Sequence, residues 1–593
     1  MGAAIEHGDP ILDIEGSREL SRRSSLAGAA VAAAAVAAVA LPVAASSAHA
    51  GGHHDGNRPG HHDGDGGDHH GHGAIRHVLL ISVDGLHQSD LRWFIRHHPD
   101  STLAALAARG AEYAHAQTPV PSDSDPGMTA QMTGGDPRTT GVYYDVEYNH
   151  ALLEAGTTSC HGQATGADVI YDSPDDVNVN ALDAGQGLSG LPGSILQMTQ
   201  TPQDLLVPAT FPVDPTTCQP IPPSGYLKVN TIFNVAHDSG LLTAWSDKHP
   251  VYTSFNGPEG NGITDSFDPE IDSPALKPDG TPYPGGISWT GDNAATMQYD
   301  AYKVQAVINW IDGYNHSRTV KAGVPAIFGM NFQTVSTAEK LPTSDGLTGG
   351  DEPGTNIPGP LLQRALSYVD QQLGLMVGEL RSQGRLGDTA IIVSAKHGQS
   401  PQDPNDLTRI DDGPIIDGIN TAWQAAHPGS GPLVASATDD DAVMMWINPK
   451  TQEAADFVRT YLLTHSATGN TVDDGTRTLS QSGLRRVFAG ASAARYFGVP
   501  VSDPRHPDIW GIVQHGVVYT GGKGKIAEHG GADPNDRDVP ILVFAPAAVR
   551  PGVYDQPLET TSVAPTVIRL LGLSPYALQA VRIQGTPVLP GVR

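Results

Sequence analysis

The chain has 593 residues, is 39% hydrophobic and carries a formal net charge of -29. That length holds one large catalytic domain with inserts, or roughly two to four ordinary ones, and the apolar fraction supplies a sizeable core. So acidic a surface repels phosphate backbones and argues against duplex nucleic acid as a partner, while a small anionic substrate stays compatible with a site whose field metals or dipoles reverse.

Residues 1–50 read as an export signal. Ser21-Arg22-Arg23-Ser24-Ser25-Leu26 precedes an Ala/Val run from Ala27 to Ala45, and Ala48-His49-Ala50 offers a cleavage point. Paired arginines before an Ala-rich core are twin-arginine-like and predict a secreted or extracytoplasmic protein. Pro42 and the small residues disfavour the competing reading, an uncleaved anchor. No later segment is long and apolar enough to span a bilayer.

Residues 51–76 are rich in His, Gly and Asp, with His53, His54, His61, His62, His69, His70 and His72. Such a stretch cannot bury a core and is expected to be a disordered linker, acting as a loose metal scavenger or as a plain spacer.

The catalytic region is placed at 77–593. Val78 to Val83 predicts a buried strand, and Ser101 to Ala108 a helix capped by Ser101 and stopped at Gly110. Further strand-like runs lie at Leu241–Trp245, Ala326–Phe332, Ala390–Ser394, Val443–Ile447, Ile509–Tyr519 and Val539–Phe544. Pro360 to Arg381 predicts an amphipathic helix, with Leu362, Leu366, Val369, Leu373, Met376, Val377 and Leu380 on one face. Strands alternating with helices predict an α/β sandwich around a mostly parallel sheet. Residues 149–226 break the rhythm with Gly, Pro, Asp and Thr, and read as an irregular insertion. They contain the two cysteines of the chain, Cys160 and Cys218, which in an exported protein predict one disulfide.

The chemistry-bearing residues follow strand ends. Asp84 comes directly after the first strand and is followed by Gly85, a placement that suits a metal ligand or a turn cap. In Pro121-Ser122-Asp123-Ser124-Asp125-Pro126, Pro126 fits a first helical position and Gly134 a helix stop. Ser124 then stands at a helix N-terminus, where backbone N–H groups favour an anion; capping by Ser122, Asp123 or Ser124 is the plainer alternative. Lys396-His397-Gly398 ends another strand, and Glu528-His529-Gly530-Gly531 forms a loop.

In this order the residues resemble the nucleotide pyrophosphatase/phosphodiesterase branch of the alkaline phosphatase superfamily. Ser124, Pro126, Thr133-Gly134, Pro137 and Gly141 keep the register of its nucleophile motif. Leu242 to Pro250, Asp538-Val539-Pro540 and Ser562-Val563-Ala564-Pro565-Thr566 look like the family as well. The resemblance implies an alkaline phosphatase-like three-layer sandwich with the disulfide-bearing insertion. It also implies Ser124 as nucleophile, two zinc ions, one site using Asp84, Ser124 and His397, and His529 as part of the other.

Four positions depart from the family. Lys396 replaces a carboxylate ligand, Gln333 and Thr337 replace an Asp and a His, and Asp145 replaces an Asn that holds a phosphoryl oxygen. Two ways of repairing the charge follow. One metal plus the Lys396 ammonium could neutralise the phosphoryl group, making Lys396 catalytic. Alternatively Asp123, Asp125, Asp145 or one of Asp439 to Asp441 rebuilds the ligand set. The expected function is hydrolysis of a small phosphate-type ester, diester or monoester, through a phosphoryl-serine; the alternative is a non-catalytic binding protein that keeps the fold around a degenerate metal site.

Overall fold

The computed structural model describes residues 75–177, 192–277, 279–519 and 524–593. The export signal and nearly all of the His-rich linker lie outside them. Ten strands organise the chain: β1 His77–Val83, β2 Ala111–Tyr113, β3 Ile327–Phe332, β4 Thr389–Ser394, β5 Val434–Thr438, β6 Ala442–Ile447, β7 Leu484–Ala489, β8 Ile509–Val513, β9 Ile541–Phe544 and β10 Gly552–Tyr554.

Six of them form the central sheet in the order β10-β2-β9-β4-β1-β3. β1 pairs in parallel with β4 and β3, and β2 with β10. β9 runs antiparallel to both of its neighbours, so five of the six strands point one way. β1 explains why its sequence is apolar throughout. Leu79, Ile81 and Val83 enter one core while Val78 and Leu80 enter another, so both faces are covered.

The covering helices are α1 Gln88–His97, α2 Thr102–Ala107, α3 Ser124–Thr133, α4 Asn293–Ile311, α5 Thr334–Lys340, α6 Pro360–Ser382 and α7 Val563–Leu570. Leu91 and Phe94 of α1, Tyr299 and Val307 of α4, and Leu362, Leu366, Val369, Leu373 and Met376 of α6 pack on the β1 face that carries Leu79. Met128 and Met132 of α3 and Val567 and Ile568 of α7 pack on the opposite face. The result is a three-layer α/β sandwich. Ser101 caps α2 by accepting from the Ala104 N–H, and α6 fills the span that its periodicity predicts.

Two sequence expectations change. Val443–Ile447 and Ile509–Tyr519 do not join the central sheet. β5, β6, β8 and β7 form a separate antiparallel sheet with its own apolar cluster around Ile447, Val458 and Ile509. The long run from Ile509 also breaks after Val513, because Gly516 turns the chain with φ of 79° before Val517–Val518.

The described residues between 149 and 226 are mostly turns and 3₁₀ segments, with one short pairing of Val146–Asn149 with Ala167–Ile170. Cys160 and Cys218 are bridged, with their Cα atoms 5.7 Å apart. Among the described residues no helix is long and apolar enough to cross a membrane.

Candidate active site

β4, β1 and β3 are parallel neighbours, so the residues that follow them emerge side by side: Lys396 and His397, Asp84, and Gln333. α3 brings Ser124 to the same edge. Its N-cap is Asp123, whose carboxylate accepts from the Asp125 N–H at 3.3 Å, and Gly134 ends it in a left-handed conformation. Ser124 is therefore the first helical residue and Pro126 the third, two places later than the sequence suggested. Gly127 makes the approach possible: a Cβ there would overlap the Lys396 carbonyl oxygen. Only a glycine lets α3 settle against the end of β4 at this depth.

Ser124 Oγ lies 3.2 Å from His397 Nε2, and Asp84 Oδ1 lies 2.6 Å from the same nitrogen. The other ring nitrogen, Nδ1, faces the Gly398 carbonyl at 2.9 Å. A carbonyl only accepts, so Nδ1 carries the proton and a neutral ring presents a lone pair at Nε2. Burial pulls the His397 pKa down and outweighs Asp84, which keeps the ring neutral. Two oxygens and one nitrogen thus converge with a shortage of donors; Asp84 Oδ1, fully buried, receives no hydrogen bond. A histidine whose outer N–H is anchored on a backbone carbonyl while its inner nitrogen meets a carboxylate is the arrangement of a metal ligand. The donor set therefore fits one cation.

The far oxygen of Asp84 has different company. Gln333 Nε2 donates to Oδ2 at 2.5 Å, and Lys396 Nζ stands 3.2 Å from it. Burial works to raise the Asp84 pKa, but Lys396 and His397 hold it well below the usual carboxylate range. Lys396 is wholly buried and points into the protein. Its ammonium sits 3.7 Å from Asp247 and donates to the Tyr252 hydroxyl at 3.4 Å. It is engaged with Asp84, Asp247 and Tyr252 and does not line the open cleft.

His529 stacks on His397 with ring centroids 3.8 Å apart, and its Nδ1 lies 3.1 Å from Asp123 Oδ1. Neither atom makes a hydrogen bond. Burial, then the neighbouring His397 and Lys340, keeps His529 well below its ordinary pKa. Thr337, where the family resemblance calls for a ligand, accepts from Asn293 Nδ2 at 2.8 Å and donates to the Thr334 carbonyl at 3.2 Å, both of them packing bonds at α5.

The cleft is lined by Asp84, Gln333 and His529, and by Lys248, Lys340 and Lys525. Glu528 bridges the last two, at 3.0 Å from Lys340 and 2.5 Å from Lys525. The other flank of Ser124 is acidic: burial and the nearby Asp145 push Asp125 up to about 7. Asp84, Ser124, Lys396, His397 and His529 thus come together. Asp247, Tyr252 and the cleft lysines were missed by the sequence reading, since only the fold brings them to the β4 and β1 ends.

Comparison with known proteins places the chain in a family and a fold. The family model for type I phosphodiesterase / nucleotide pyrophosphatase matches residues 78–197 and 310–534, over half of the chain. Among solved structures, wild-type alkaline phosphatase PafA superposes with a TM-score of 0.51 at 13% identity, covering 84% of this chain and 96% of that one. A PafA variant gives 0.52 at the same identity and coverage. Murine ectonucleotide pyrophosphatase/phosphodiesterase 5 gives 0.49 at 12% identity, covering 84% and 95%. Comparison with curated protein sequences found no match. The two PafA superpositions support the alkaline phosphatase-like fold, and the family match makes this chain a member of the type I phosphodiesterase / nucleotide pyrophosphatase family of hydrolases.

Proposed function

We propose that this protein is an exported hydrolase of small phosphate-type esters that works through a phosphoryl-serine at Ser124. The observation that carries the reading is the convergence of Ser124 Oγ, His397 Nε2 and the donorless Asp84 Oδ1 at the start of α3. Asp84, Ser124 and His397 would hold a divalent cation, zinc by the family's habit, which when bound would supply a Lewis-acidic charge that lowers the pKa of the serine hydroxyl. The chain favours one ion over two, because Gln333 and Thr337 are bonded elsewhere and Asp123 with His529 offers only two donors.

The protein's own residues do the rest. The first-turn N–H groups of α3 face the developing negative charge on the phosphoryl oxygens. The cleft lysines Lys248, Lys340 and Lys525 draw an anionic ester in against the overall charge of the chain. His529, neutral and at the cleft wall, takes a proton from the water that releases the phosphoryl group. Lys396 acts as a positioning residue that fixes Asp84 rather than as a group touching substrate. The paired arginines of the leader account for delivery outside the cytoplasm.

The test is turnover of bis(p-nitrophenyl) phosphate and p-nitrophenyl phosphate by the mature protein loaded with Zn²⁺. Ser124→Ala should lower turnover by about 10³-fold or more, and acid quenching should trap phosphate on Ser124 in the wild type. Undiminished turnover in Ser124→Ala would sink the mechanism. A zinc-loaded wild type that turns over neither ester would instead favour the binding-protein reading, which the burial of Lys396 against Asp84 makes specific.

A further inference from the structure

A second group of ligand-type side chains stands one layer behind the cleft. It gathers three separate stretches of chain. Asp172 and Asp176 flank the single 3₁₀ turn Ser173–Asp175, four residues apart and inside the Cys160–Cys218 bracket. His249 follows the Asp247-Lys248 pair. Glu270 and Asp272 come from the extended stretch that docks on that segment through the Ile271 N–H to the Lys248 carbonyl, 2.9 Å. Asp172, His249 and Glu270 are at most 2% exposed and Asp176 is 7% exposed.

The imidazole defines what this group can do. His249 Nδ1 lies 2.8 Å from Glu270 Oε1. A carboxylate oxygen is satisfied by an N–H, so Nδ1 carries a proton; burial opposes a charged ring, but Glu270 raises the His249 pKa, and a cation that displaces the second proton would meet the Nε2 lone pair. Nε2 makes no hydrogen bond and faces Asp172 Oδ1, 3.8 Å away. One ligand atom each from Asp172, His249 and Asp272 lies within 4.8 Å of the other two. Around them, Glu270 Oε2 and both oxygens of Asp176 are buried with no donor.

The other buried carboxylate–imidazole group is a useful contrast. His87 Nδ1 sits between Asp90 at 2.8 Å and Glu339 at 3.1 Å, and its Nε2 faces the Gln399 carbonyl at 2.8 Å. Both nitrogens meet acceptors, and although burial opposes it, Glu339 and Asp90 hold the His87 pKa well above normal. An imidazolium satisfies that cluster. At His249 the second nitrogen makes no hydrogen bond, and the carboxylate it faces, Asp172, stands 3.8 Å away, a gap that leaves Nε2 less well satisfied than its counterpart in His87.

We propose that Asp172, Asp176, His249, Glu270 and Asp272 form a buried divalent-cation site, separate from the Ser124 centre, that clamps the disulfide-bracketed insertion onto the core. Several carboxylate oxygens with one imidazole nitrogen suit Mn²⁺ or Zn²⁺ better than Ca²⁺, which favours all-oxygen cages. The site also has a route to the catalytic residues. The His249 ring stacks on Tyr252 at 6.0 Å with an interplanar angle of 10°, and the Tyr252 hydroxyl accepts from Lys396. Ordering His249 on a cation therefore orders the wall that holds Lys396 and, through it, Asp84.

The experiment uses the mature full-length protein stripped with EDTA and re-equilibrated with Mn²⁺ as the probe. Bound metal is counted by mass spectrometry in four proteins: wild type, Asp84→Asn, His249→Gln, and the Asp176→Asn/Glu270→Gln pair. Asp84→Asn should keep about one equivalent per chain that both cage variants lose, and the Mn²⁺-induced rise in melting temperature should be smaller in the cage variants than in wild type while Asp84→Asn keeps the cage's share of it. Crystals of the wild type grown with Mn²⁺ should show an anomalous peak beside His249 Nε2, a readout that does not depend on any variant folding. A cage without that peak, or cage variants that bind as much Mn²⁺ as wild type, would overturn the proposal and leave a proton shared by Asp176 and Glu270 as the stabilising element. Either result leaves the Ser124 reading untouched, since that rests on ester turnover.

Discussion

Replacing Lys396 with methionine keeps the apolar stem, one atom shorter, and removes the ammonium with its charge and its donors. Nζ lies 3.2 Å from Asp84 and 3.7 Å from Asp247, and all three groups are fully buried. At an effective dielectric constant near 20, each of these contacts is worth about 5 kcal/mol of Coulomb attraction, offset by the cost of burying the ammonium itself. Removing one partner of such a pair strands the other, and the usual net loss is about 3–5 kcal/mol. Lys396→Met should therefore lose about 3–5 kcal/mol in urea unfolding at neutral pH with EDTA present. Zinc affinity should move the other way. In the variant Asp84 keeps only Gln333 and His397 as neighbours, so a dication meets a less neutralised carboxylate and no adjacent ammonium. A gain of at least about tenfold, some 1.4 kcal/mol, is expected by isothermal titration. If Lys396→Met is as stable as wild type, or binds zinc no better, the assignment of Lys396 as the built-in counter-ion of Asp84 is wrong.

Gly127→Ala should cut turnover severely while leaving secondary structure intact by circular dichroism, because the new methyl pushes α3 off the Lys396 carbonyl and carries Ser124 away from His397. Reducing the Cys160–Cys218 bridge frees a loop with a sequence separation of 58, which the chain-entropy relation values at about 4 kcal/mol; calorimetry with and without reductant should show a lower melting temperature. Burial works to raise the Asp508 pKa, but His150 at 2.8 Å and Lys450 at 2.9 Å hold it below its ordinary value. Its contribution is thus present above the unfolded carboxylate pKa and lost as pH falls through the folded one, so the stability gap between wild type and Asp508→Asn should close in acid.

How much of this was legible in the sequence depended on whether the signal was local. β1 and α6 were readable because both-face burial and a 3.6-residue stripe leave continuous patterns. The antiparallel sheet was misplaced because Val443–Ile447 and Ile509–Val513 have the same apolar look whichever sheet they join; pairing is decided by topology. Asp84, His397 and Ser124 were readable because each sits at a strand end or helix start. The partners of Lys396 were not. Asp247 precedes it by 149 positions and Tyr252 by 144, and neither lies in a pattern that points to a lysine. The His249 cage was missed for a related reason. Its residues come from an irregular segment and two loops, and the signals present, an Asp pair spaced by four and a Glu-x-Asp, are too common to single out.

The distribution of lysines shows how an acidic protein can still receive an anion. Only 35 of the 593 residues are Lys or Arg, against 64 Asp and Glu. Yet Lys248, Lys340 and Lys525 line one cleft. Glu528 bonds both Lys340 and Lys525, with Asp440 beside them. Inside the sheet edge Lys396 meets Asp84 and Asp247, and Lys303 lies 3.1 Å from Asp300, whose carboxylate in turn accepts from the Gln333 N–H. The interior lysines fix geometry inside the sheet edge, while Lys248, Lys340 and Lys525 stand together at the cleft. Screening limits the reach of distant surface carboxylates to about 8–10 Å at ordinary salt. The field at the cleft mouth is therefore set by the groups that line it and not by the charge of the whole chain, which is how a net charge of -29 is compatible with an anionic substrate.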